Sequence, residues 1–123
     1  MAKSHSPKFL AIVDAARGVI SECDAAGLRT MMDDGNPFIV LDVRERHEFE
    51  AGHLVGSIHI GKGVLERDIE KHEIAEYSRI VLYCGGGFRS AIAAKSLQEM
   101  GYSNVFSLWG GWRGIQSEGL PIE

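Results

Sequence analysis

The residues best placed to do chemistry are Tyr83-Cys84-Gly85-Gly86-Gly87-Phe88-Arg89-Ser90. A cysteine closes a short apolar run, three glycines follow, and an arginine and a serine open a helical pattern. Consecutive glycines let the backbone curl tightly and adopt positive φ. In such a curl successive N–H groups converge into an anion nest. The start of a helix adds the positive end of its dipole. Cys84 is expected at the base of this cradle, with Gly85, Gly86, Gly87, Phe88, Arg89 and Ser90 wrapped around its sulfur. A field of that kind favours thiolate over thiol, and the thiolate is the nucleophile. Other uses of a glycine-rich turn fit less well. A Walker loop needs a Lys followed by Ser or Thr after its glycines, and none stands there. The dinucleotide fingerprint needs spaced glycines, and these are contiguous. A zinc site needs a second cysteine nearby, which is missing.

The elements that must hold this loop can be read from apolar patterning. Phe38 to Val43, Ile80 to Tyr83, Asn104 to Leu108 and the shorter Ser57 to Ile60 read as strands, the first two as continuous apolar runs typical of buried parallel pairing. Helical patterns separate them: Glu45 to Ala51, Gly63 to Lys71, Arg89 to Met100 and Trp112 to Glu118. Ser6 to Val19 reads as a helix with Pro7 in its first turn, forming an extension over residues 1–19 ahead of a domain at 20–123. A further helix is expected with Ser21 as N-cap and Asp24 three residues on, which puts Cys23 in its first turn. Strands alternating with helices imply an α/β sandwich on a parallel sheet. Ligands of such sheets bind beyond the carboxyl ends of the strands, which points to Asp42-Val43-Arg44 and to Cys84 onward.

At these residues the chain resembles the rhodanese family. Cys84 to Arg89, a cysteine and an arginine separated by four residues, is similar to that family's active-site loop. Leu41-Asp42-Val43-Arg44-Glu45 resembles its aspartate-arginine motif. Gly52 to Ile60, Gly110-Gly111-Trp112 and Gly119-Leu120-Pro121 resemble later segments in the family's order. Val55 departs from the pattern, standing where the family often has proline. The resemblance implies a three-layer α/β sandwich with a central parallel sheet of about five strands and helices on both faces. It also implies a thiosulfate sulfurtransferase that carries sulfane sulfur as a persulfide on Cys84, in ping-pong covalent catalysis. The expected partners are small sulfur-containing anions, thiols and a protein sulfur acceptor, with no cofactor and no metal. Asp42 and Arg44 are expected to support the loop from beneath. For Arg89 two roles stand open: a cation beside the bound anion, or an anchor for the loop. Phe88 is expected to line the pocket mouth or to pack on the sheet. The family reading makes His53 and His59 scaffold residues.

Cys23 reads as a packing residue, with a resolving role open only if it lies close to Cys84. One of Trp109 and Trp112 is expected in the core and the other at a rim. Two other functions compete. A cysteine-dependent phosphatase or arsenate reductase also uses a cysteine, a ring of amides and an arginine, but with five residues between the two. A non-catalytic binding module keeps the fold without the chemistry.

Composition is that of an ordinary globular protein. The 123 residues suit one domain, and 45% are hydrophobic. The net charge of −4, with no basic run, argues against nucleic acid as partner. The most apolar early stretch, Phe9 to Ile20, is broken by Asp14 and Arg17, so neither a membrane span nor a signal peptide is expected. A cytoplasmic location follows as the expectation, and two cysteines are too few for a disulfide framework.

Overall fold

The structure, a computed structural model, describes residues 5–123. Residues 1–4 of the expected N-terminal extension lie outside them. Five parallel strands form one sheet in the order β1-β5-β4-β2-β3: β1 Ser21–Cys23, β2 Ile39–Asp42, β3 Ile58–His59, β4 Ile80–Tyr83 and β5 Val105–Leu108. The expected parallel α/β sandwich is therefore present. β4 lies at the centre and all four of its residues are buried, as a continuous Ile-Val-Leu-Tyr run demands when both faces of a sheet are covered.

Alternation along the strands sorts side chains between two cores. Leu41, Val43, Ile80, Leu82 and Cys84 face one core with Leu65 and Ile69, and with Ala93, Ala94 and Leu97 of α5 (Phe88–Glu99). Val40, Val81, Tyr83 and Leu108 face the other, with Ala25 and Leu28 of α2 (Ala25–Asp33) and Ile115 of α6 (Gly111–Glu118). The first helix, α1 (Pro7–Arg17), packs outside this sandwich, setting Val13 and Ala16 against Ala91 of α5. A short α3 (Arg46–Ala51) follows β2 at the carboxyl edge of the sheet.

Two local expectations are corrected. Ser21 to Cys23 is the edge strand β1, paired with Phe106 to Leu108, so Cys23 is not in a helix. The N-cap of α2 is Asp24, whose carboxylate accepts the Gly27 N–H at 2.8 Å. A three-residue polar edge strand has no apolar run to announce it, whereas Ser21 and Asp24 both look like caps. The expected helix from Gly63 to Lys71 is divided into a 3₁₀ turn at Lys62–Val64, α4 at Leu65–Asp68 and a second 3₁₀ turn at Ile69–His72.

Candidate active site

Cys84 directly follows the buried strand β4, and the loop Gly85-Gly86-Gly87 carries the chain into α5. The residue is only 1% exposed and lines a cleft of about 350 Å³. Gly87 takes φ of 108°, and a Cβ there would lie 3.0 Å from Trp109, so this turn requires glycine. The turn aims N–H groups at the sulfur. Gly87 donates to Sγ at 3.1 Å and Ser90 at 3.4 Å. Ser90 Oγ lies 3.6 Å from Sγ and shares a 2.8 Å hydrogen bond with Ser107 Oγ of β5. The sulfur thus lies at the head of α5, on its positive end.

The loop's carbonyls point the other way, and a second helix holds them there. The N–H groups of Trp112, Arg113 and Gly110 donate to Cys84 O at 2.7 Å, Gly85 O at 3.3 Å and Gly86 O at 3.0 Å. With its carbonyls fixed on the first turn of α6, the loop keeps its amides free for the sulfur side. The two backbones meet at Gly111, whose φ is 51°. A Cβ on Gly111 would collide with the Cys84 carbonyl oxygen and lie 2.8 Å from Gly85 C and Gly86 N.

Arg89 makes a two-point pair with Glu48 of α3, at 3.1 and 3.3 Å. Glu48 also accepts the Glu45 N–H at 3.0 Å in the capping box of α3. The Arg89 hydrogen bond holds the Glu48 carboxyl below the usual carboxylate range, against the opposing effect of burial. Burial is the largest single effect on Arg89 and works against its charge, but the hydrogen bond to Glu48 and the surrounding negative charges together raise the guanidinium pKa. Arg89 lines the cleft while tied to α3.

Asp42 and Arg44 lie outside the cleft, at the buried end of β2. Arg44 donates from Nη2 to Asp42 Oδ2 at 2.7 Å and to Gly52 O at 2.7 Å, and its guanidinium carbon lies 4.6 Å from the centre of the Trp112 ring. Because the Trp112 N–H binds Cys84 O, this pair reaches the loop through α6. His53 pairs through Nδ1 with Phe49 O at 2.9 Å, and His59 through Nε2 with Arg44 O at 2.8 Å. Neither lines the cleft.

A model of the rhodanese-like domain matches residues 24–118. The chain belongs to the rhodanese-like family. Among curated relatives of this rhodanese-like domain is the candidate sulfur carrier protein YrkF of Bacillus subtilis, 31% identical over 76% of this chain and 50% of the relative. The chain spans about half the length of the first curated relatives it matches. Among solved structures, the polysulfide-sulfur transferase homodimer of Wolinella succinogenes superposes with a TM-score of 0.79 at 25% identity, covering 94% of this chain and 87% of the other. A Rhodopseudomonas palustris protein of unknown function, RPA3614, suggested to be a tyrosine phosphatase, superposes with a TM-score of 0.81 at 28% identity, covering 100% of this chain and 99% of the other.

Several parts of this rhodanese-like cleft escape a reading of the sequence. His5 and Phe9, from the N-terminal segment, form one wall against Phe88, whose ring centre lies 4.5 Å from that of His5. Phe88 therefore lines the mouth. Glu48 and Arg113 complete the rim. Ser107, a buried hydroxyl in an otherwise apolar strand, is the one missed residue with a sequence signal. Trp109 is 37% exposed and stacks beneath the Arg17 guanidinium at 3.6 Å, while Trp112 packs on the core. A larger cavity of about 470 Å³ lies at the amino ends of the strands around Phe38, Arg79 and Asn104, away from the nucleophile. Among the described residues no cluster of His, Cys, Asp and Glu is arranged to hold a metal, and no helix is long and apolar enough to cross a membrane.

Proposed function

We propose that this domain is a sulfurtransferase that carries sulfane sulfur as a persulfide on Cys84, with thiosulfate as a competent donor. The observation that carries the reading is the pair of N–H groups, Gly87 and Ser90, directed at Sγ from the head of α5. The Cys84 thiolate attacks the sulfane sulfur of thiosulfate. The bond between the two donor sulfurs breaks, and sulfite leaves with its electron pair. A Cys84–S–S⁻ persulfide remains, and the loop amides offset its charge as an oxyanion hole does for oxygen. Cyanide, a small thiol or a protein thiol then takes the outer sulfur and restores the thiolate. The candidate sulfur carrier among the relatives and the polysulfide-sulfur transferase among the similar structures support this chemistry. Residues 20–123 form the working domain in this reading, residues 1–19 are its extension, and the reducing cytoplasm is its compartment.

The resemblance to RPA3614 gives the phosphatase reading one specific support. Against it, only four residues separate Cys84 from Arg89, and Arg89 is committed to Glu48. Glu48 is also a poor general acid, since its carboxyl is held in the ionised form. Intact-mass measurement after incubation with thiosulfate separates the readings. Sulfur transfer gives a gain of about 32 Da that cyanide removes and that Cys84→Ser lacks. Hydrolysis of an aryl phosphate with no mass gain would establish the phosphatase instead, and neither result would leave a binding module.

A further inference from the structure

The cleft above Cys84 holds two guanidinium groups, and their surroundings differ. Arg89 is neutralised by the two-point pair with Glu48. Arg113 lines the same cleft, yet among the described residues no carboxylate lies within ion-pair distance of it. The one carboxylate on its own helix, Glu118, is held by Arg29 at 3.2 Å. Arg113 is exposed, and its backbone N–H is fixed on Gly85 O. Its Nη2 lies 3.7 Å from where a Cβ on Gly86 would stand, so its charge overhangs the loop. His5 and Phe9 line the same cleft. The cleft that Cys84 lines therefore combines an aromatic cluster of His5, Phe9 and Phe88 with one cation that, among the described residues, has no carboxylate partner.

We propose that Arg113, not Arg89, is the substrate-positioning residue that receives the oxyanion end of the sulfur donor. The proposal rests on the sulfur-transfer reading and narrows its donor to a thiosulfate or thiosulfonate. A guanidinium fork matches two oxygens of a sulfonyl group. Donor oxygens held by Arg113 would direct the sulfane sulfur down towards Cys84. As the sulfur–sulfur bond breaks, the departing electron pair adds charge to the sulfite, beside that same cation. Arg89 keeps the loop on α3.

The test compares the full chain with Arg113→Gln and Arg113→Lys, two exposed changes. One readout is alkylation of Cys84 by iodoacetate, an anion, and by neutral iodoacetamide. The other is KM and kcat for thiosulfate. Loss of one charge-assisted contact is expected to slow iodoacetate and raise the thiosulfate KM by about tenfold each in Arg113→Gln, with the iodoacetamide rate within about twofold. Arg113→Lys should recover most of both losses. An iodoacetate-to-iodoacetamide ratio and a thiosulfate KM unmoved by Arg113→Gln would overturn the proposal and leave sulfur transfer standing. A wild-type chain that gains no sulfur from thiosulfate would overturn the reading beneath it, whatever the alkylation ratio shows.

Discussion

Cys23 ends β1, and β5 lies between it and the strand that leads to Cys84. Two strand spacings put their backbones roughly 10 Å apart. A disulfide needs its Cα atoms within about 7 Å, so Cys23 cannot resolve a Cys84 persulfide without moving the sheet. Its environment agrees. Burial, followed by the charges of Asp24 and Glu22, pushes its thiol up to about 11. Only about one part in ten thousand is then ionised at pH 7. The expected outcome is that iodoacetamide at pH 7.5 modifies Cys84 while leaving Cys23 intact, and that Cys84→Ser takes up almost no label over the same period. Peptide mass mapping reads this directly, and substantial labelling of Cys23 would show that its burial is misjudged. At the same scale, Arg89 is paired with a residue 41 positions away, Glu48.

Two helices share the work at the loop. α5 supplies the amides that face the sulfur, and α6 binds the carbonyls that face away. This division depends on backbone touching backbone at Gly111, where no side chain fits. Gly111→Ala should therefore displace the loop, costing about 1–3 kcal/mol in urea unfolding and slowing sulfur loading of Cys84 by about tenfold or more. Gly119→Ala is the control. Its φ of 72° is also positive, but a Cβ there meets nothing within 4 Å. It should cost only backbone strain and leave loading unchanged. Equal loss of loading in both variants would show that strain in α6, not contact with the loop, is what matters. The extension α1 acts at this scale too, since packing on α5 brings Phe9 to the cleft.

Over the whole molecule, the shifted groups define a pH window of stability. Hydrogen bonds from Arg79, Arg89 and Arg67 hold Asp34, Glu48 and Asp68 below the usual carboxylate range. Groups lowered by folding stabilise fully above their unfolded pKa and lose that contribution as pH falls through the folded value. At the alkaline end the sign reverses. Burial raises Cys23 to about 11 and Tyr83 to about 12, so the unfolded chain releases protons that the folded one keeps. Stability then declines as pH rises past the unfolded values. The melting temperature should be flat from about pH 5 to 8, fall below about pH 4, and fall again above about pH 9. Cys23→Ala should make the alkaline decline shallower without altering the acid side. Calorimetry across that range checks both limbs, and an unchanged alkaline slope would remove Cys23 from the account.

The sequence by itself determined the parallel α/β class, the strand–cysteine–glycine–helix junction and the place of Cys84 in it. Each of these is written in neighbouring residues: an apolar run, a set of small residues that permit the turn, and a helical pattern. Tertiary structure alone decided what surrounds the sulfur beyond its own loop. β1 has too few apolar residues to show a period, and only its pairing with β5 reveals it. Glu48, Arg113, His5 and Phe9 come from three separate stretches of the chain and meet at the cleft because the strand order and the packing of α1 and α6 bring them there. Local patterning records which residues a segment buries. It does not record which distant charge will find its counter-ion and which will be left facing a substrate.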